Sequence, residues 1–245
     1  MFSRATLNWI LLAGISLTSV ATVVTEVRTY AVTQTFELQR KLNGIDGVLQ
    51  LLLDARLTGP IQEKLWGKGD WSFAFPHDSS IYAEFSALPP GKSKLRIVNG
   101  TEKVIAEREL ETVLAKLEEW SPGLSGNQNY LLTEDYSAGI GSYNGPKTTI
   151  LNISSAGFHE VTALNVDSKK EEPIRLVKSL KSDWRIPREI SDEILSVSCY
   201  SDGQGNFVIK YTRYSFDGVR WVEYTRQESG FWESDEAFPS RSAFP

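Results

Sequence analysis

The sequence predicts an α+β fold: an N-terminal transmembrane helix and helical stalk, followed by a mainly antiparallel β domain with one amphipathic helix. Three observations carry this. Ala5 to Val24 is twenty residues without a charge, about one hydrocarbon thickness of helix. Apolar or small residues then recur in alternating steps of three and four from Val24 to Leu52. From Trp66 onward the texture changes to short alternating or aromatic runs separated by Gly and Pro.

The first run also has the parts of a cleavable signal: Arg4, the apolar centre Ile10–Leu17 and the small triplet Ser19-Val20-Ala21. No Gly or Pro interrupts the chain between Ala21 and Leu42, which favours a retained anchor over residues 1–25. Ala13, Gly14, Ser16 and Ala21 are small or hydroxylated and suit close packing against another membrane helix. The signal-like start orients the N-terminus to the cytoplasm and the bulk of the chain outside, periplasmic in a bacterium. Residues 26–60 read as a stalk with a break near 43–47, where Gly44 and Gly47 weaken a helix. Gly59 and Pro60 end it.

Residues 61–230 form the predicted extramembrane domain. "WSFAF", "SIYAEFSAL" and "KLRIV" read as strands, and Asn99-Gly100 as a hairpin turn. Glu107 to Trp120 has helical spacing, with Leu110, Val113, Leu114 and Leu117 on one face. "KTTILNI" and "FHEVTALNV" are further strands. "EILSVSCY", "NFVIKYTRY" and "VRWVEYTRQ" form an antiparallel meander joined by "SDGQG" and "SFDG". Residues 231–245 are an acidic, aromatic tail.

Chemistry is sparse. The chain has two histidines and one cysteine, too few for a zinc cluster without carboxylates. His77 lies beside Asp78, and His159 beside Glu160, but neighbours on a strand point to opposite faces. Cys199 stands in an alternating apolar run and reads as a buried thiol. No phosphate loop, nucleophile elbow or zincin helix is present, so no enzyme, cofactor or metal is expected. A net charge of −5 and the lack of basic blocks argue against nucleic acid.

The expected function is therefore a non-enzymatic, membrane-anchored accessory subunit of a larger membrane complex. Its partners are the lipid bilayer and integral membrane subunits. Its partner surface is expected at Leu38, Leu42 and Ile45 of the stalk and at Trp232, Phe238 and Phe244 of the tail. Two alternatives stand beside it. "FVIKYTRYSFDGVRWVEYT", about twenty residues, resembles the hairpin of discoidin-type (galactose-binding-like) modules, which implies a carbohydrate-binding module. A hydrophobic N-terminal helix leading through a stalk to a sheet domain is similar in plan to type IV pilins. This chain has Ala5 where those carry glutamate, and no acid before Glu26.

Overall fold

The computed structural model describes residues 30–42, 44, 46–55, 92–112, 115–122, 128–134, 142–143, 145–154, 156–187, 190 and 192–245. These form fifteen strands in three sheets and a short 3-10 turn at Arg241–Ala243, with no α-helix among the described residues. The α+β expectation is thus overturned in favour of an all-β fold. The expected membrane anchor, with Ala13, Gly14, Ser16 and Ala21, lies outside the described residues. Within them, no helix is long and apolar enough to cross a membrane.

Sheet 1 is the antiparallel meander β1 (Tyr30–Glu37), β2 (Gly47–Asp54), β3 (Lys94–Asn99) and β4 (Val104–Glu109). Over its described residues the expected stalk is therefore a β-hairpin. Leu49 and Leu52 of the step pattern are buried together with Leu51 and Leu53 between and beside them, and a strand covered on both faces carries no alternation to distinguish it from a helix. The expected break near 43–47 falls at the turn of this hairpin. Gly44 adopts φ +80°, and the Leu38 N–H donates to the Gly47 carbonyl at 3.0 Å.

Sheet 2 contains β5 (Ala115–Trp120), β6 (Asn129–Glu134), β7 (Lys147–Ser154), β8 (Gly157–Glu160) and, returning later, β11 (Arg175–Val177). The helix expected over Glu107–Trp120 is instead the end of β4, a bend and β5. Leu110 and Leu117 are buried as expected, but Leu110 from just past β4 and Leu117 from β5, while Val113 and Leu114 lie outside the described residues.

Sheet 3 runs in the order β10 (Glu171–Pro173), β9 (Thr162–Asn165), β15 (Trp221–Ser229), β14 (Phe207–Phe216), β13 (Glu193–Ser201), β12 (Ser182–Arg185). The expected meander is β13–β14–β15. The chain changes sheets at Val161 and again at Ile174, and those two residues are joined by a backbone hydrogen bond of 3.0 Å.

Side-chain alternation assembles these sheets into layers. Tyr130, Leu132 and Leu151 of sheet 2 pack on Leu49, Leu51, Leu53, Leu95 and Ile97 of sheet 1. The opposite face of sheet 2 sends Leu131 and Ile150 against Ile194, Tyr214 and Trp221 of sheet 3. Sheet 2 is the layer with a sheet packed on each side. Sheets 1 and 2 are further joined by Gln34. Its amide donates to the Leu117 carbonyl at 2.9 Å and accepts the Leu117 N–H at 2.8 Å. One side chain thus supplies on the outer edge of β5 the pair of bonds a neighbouring strand would give.

Candidate functional site

Six residues were expected to face a partner, and the structure sends five of them to two places. Leu38 and Leu42 flank the β1–β2 turn and line a solvent-open cleft of about 330 Å³. Ile45 lies outside the described residues. Trp232, Phe238 and Phe244 belong to a C-terminal segment folded back over sheet 3.

The cleft is assembled from three stretches of chain. Leu38, Arg40 and Leu42 come from the turn, Gln128 and Tyr130 from the start of β6, and Asn152 and Ile153 from β7. Gln128 fixes the turn against sheet 2. Its carbonyl oxygen accepts the Gln39 N–H at 2.8 Å, and its amide donates to the Glu37 carbonyl at 3.0 Å and to Glu119 at 3.1 Å. The Tyr130 ring meets Phe36 edge-on at 5.5 Å, which holds it upright in the core. Asn152 donates to the Asn129 side-chain oxygen at 3.1 Å. Sequence reasoning named the two leucines and missed Arg40, Gln128, Tyr130 and Asn152. The polar members stand up to 112 residues apart in sequence, and nothing local marks them as neighbours.

The C-terminal segment behaves as a strap. It leaves β15 with a Gly230 N–H bond to the Phe207 carbonyl at 3.0 Å and is held again by the Ser234 N–H on the Leu180 carbonyl at 2.9 Å. Trp232 and Phe244, 4% and 5% exposed, cover Leu195, Val197, Cys199, Ile209 and Tyr211. Phe238 stacks on Phe244 at 5.8 Å and carries the Arg185 guanidinium over its ring at 4.4 Å. Two ion pairs fasten the segment. Lys181 Nζ donates to Glu233 at 2.6 Å and lies 3.4 Å from the centre of the Phe231 ring. Arg241 donates two hydrogen bonds, of 2.6 and 2.7 Å, to the buried carboxylate of Glu193, with Arg213 also 3.5 Å away. The tail aromatics thus spend their apolar surface on the chain's own sheet.

The other sequence candidates are placed as follows. Trp221 of the "SFDG" hairpin is buried, between Trp120 at 5.5 Å and Phe216 at 5.6 Å. Its rings serve the core between sheets 2 and 3 rather than an open aromatic platform. The turn itself is built by Asp217, whose side chain accepts the N–H groups of Val219 and Arg220 at 2.8 and 2.9 Å. Those bonds hold the Asp217 carboxyl below the usual range, the Arg220 bond most and the Val219 bond next. His159 Nε2 shares a hydrogen bond of 2.7 Å with Ser154 across the β7–β8 turn, at the exposed surface. Glu160 points to the other face and pairs with Arg108 at 2.9 Å. His77 lies outside the described residues. Cys199 is buried beneath the strap. Among the described residues, no group of three His, Cys, Asp or Glu side chains is placed to hold a metal ion.

Compared with known proteins, the chain matches no family model, no curated sequence and no solved structure.

Proposed function

We propose that this chain is a non-enzymatic accessory subunit tethered to a membrane, whose β domain packs against integral membrane subunits of a larger complex. The observation that carries the reading is the short distance between anchor and sheet. The uncharged run ends at Val24, and β1 begins at Tyr30. Five intervening residues span at most roughly 20 Å, so sheet 1 stands directly beside the bilayer surface when the run is retained. The cleft at the β1–β2 turn lies at the other end of β1, about 26 Å along the strand at ~3.3 Å per residue. Leu38, partly exposed there, is therefore offered to the part of a partner that projects from the membrane, while Leu42 is 5% exposed and packs in the core beneath it. Burial of Trp221 in the core favours this reading over a sugar site on the hairpin.

The test is purification of the native protein in mild detergent, with intact-mass measurement of the same sample. Co-elution with integral membrane subunits, together with a mass that includes residues 1–21, is the expected result. A chain that lacks those residues, or that elutes alone, overturns the proposal.

A further inference from the structure

We propose that the cleft between the β1–β2 turn and the ends of β6 and β7 binds a carboxylate carried on a short aliphatic group. This goes beyond the accessory-subunit reading and stands on the geometry of the cleft alone.

The polar chemistry of the lining is one-sided. Arg40 contributes a guanidinium, and no acidic side chain lines the cleft. Neighbouring Lys41 is paired with Asp46 at 3.3 Å, whereas Arg40 has no carboxylate partner among the described residues. Tyr130 is 0% exposed, yet its hydroxyl has no hydrogen-bond partner among the described residues. An unpartnered buried hydroxyl is costly to keep and invites an acceptor from outside. Burial, and secondarily the nearby Glu119 charge, push its ionisation above the usual tyrosine range, so at neutral pH the group is a donor. Asn152 gives one amide N–H to Asn129 and keeps a second.

Glu119 is the carboxylate closest to this arrangement in effect. Its Oε1 accepts amide N–H groups from Gln39 and Gln128 at 3.2 and 3.1 Å, which places polar hydrogens against that charge. Leu38, Leu42 and Ile153 form the apolar part of the wall. The cleft has room for about two waters, which is the space a carboxyl group takes. The stem then lies over the leucines. Arg40 and the Tyr130 hydroxyl supply the charge-assisted hydrogen bonds that recognise such a group.

Two sources carry this chemistry, a free aliphatic acid and the C-terminal residue of a polypeptide. The full-length protein in detergent is titrated with 4-methylpentanoate, with its amide, and with Gly-Gly-Leu bearing a free or amidated C-terminus. Ligand-methyl saturation transfer is the readout. Both acids should saturate with Kd of about 1 mM or tighter, and neither amide should. Arg40→Gln should weaken binding about tenfold or more, and Tyr130→Phe severalfold, without lowering the melting temperature. Tighter binding of 4-methylpentanoate identifies a free acid as the natural occupant, and tighter binding of the peptide a chain end. Failure of both acids to saturate, amides that bind as well as acids, or Arg40→Gln and Tyr130→Phe variants that bind unchanged would each overturn the proposal.

Discussion

Removing residues 230–245 should strip the cover from the far face of sheet 3, and Cys199 is placed to report it. The chain's single cysteine is 1% exposed and lies under Trp232 and Phe244. Loss of a buried Trp or Phe side chain costs about 3–5 kcal/mol each. The truncation also deprives buried Glu193 of Arg241. Removing one partner of a buried ion pair costs about 3–5 kcal/mol. Here Arg213 remains within 3.5 Å and the Arg241 side chain is itself 44% exposed, so about 1–3 kcal/mol is the better figure. The sum is of the order of a whole domain's stability, about 5–15 kcal/mol. A truncation after Ser229 is therefore expected to unfold sheet 3 or leave it marginal, not to leave the fold intact.

The milder probe is Arg241→Ala, which loosens one end of the strap and keeps the aromatics. Labelling of Cys199 by a thiol reagent measures the opening. A loss of about 2 kcal/mol accelerates labelling roughly thirtyfold when opening limits access. Truncated, Arg241→Ala and unaltered proteins are compared at one pH. Equal labelling rates in all three would refute the strap as a stabilising cover.

Other outcomes follow from single contacts. Gln34→Ala deletes both bonds to Leu117 and bares the outer edge of β5; urea unfolding should show a loss of about 1–3 kcal/mol, with aggregation at high concentration. Gly145→Ala would put a Cβ 1.8 Å from the Lys178 carbonyl oxygen, so its melting temperature should fall, whereas Gly100→Ala, with open space around it, should melt unchanged. Burial raises the ionisation of Tyr211 and Tyr214 above the ordinary value of 10.0. The folded state thus holds these protons more tightly than the unfolded chain, and the associated stability is full below pH 10 and declines as pH rises beyond it. Urea midpoints at pH 8 and pH 11 check that sign. Amide exchange should be slowest in β6 and β7, whose residues are covered by sheets on both faces, and faster in β4 at the open side of sheet 1.

How far the fold could be read varied with how each strand meets its neighbours. The Asn99-Gly100 hairpin was legible because Asn99 does local work, its side-chain oxygen accepting the N–H groups of Thr101 and Lys103. The β13–β15 meander was legible because alternation survives where only one face is fully apolar. The β1–β2 hairpin was not, since Leu51–Leu53 is a continuous apolar run that a helix would also use. The stretch from Glu107 to Trp120 misled because Glu and Lys at helical spacings mimic a solvated helix face, while tertiary packing placed Ala115 and Leu117 on one side of a strand. At the site, the leucines showed themselves as apolar residues beside a turn. The donors arrive from β6 and β7, and only sheet pairing brings them there. The tail was legible as something needing a cover, but its own sheet supplies that cover through pairings that sequence separation conceals.

The layering also decides what the cleft and the strap can do to each other. The cleft opens between sheets 1 and 2, whereas the strap lies on the face of sheet 3 turned away from sheet 2. A ligand in the cleft touches no strap residue, and among the described residues the links between them are the Leu131–Ile150 layer and the strand changes at Val161, at Ile174 and over residues 178–181. All are closely packed or hydrogen-bonded, and among the described residues the structure shows one arrangement of each rather than a two-state element. Without such a two-state element, occupancy at one place gives no differential free energy at the other. Cleft variants such as Arg40→Gln should leave Cys199 labelling unchanged, and strap variants short of unfolding should leave cleft binding unchanged. Coupling in either direction would mean that the central sheet shifts as a unit, and that the two surfaces serve one partner.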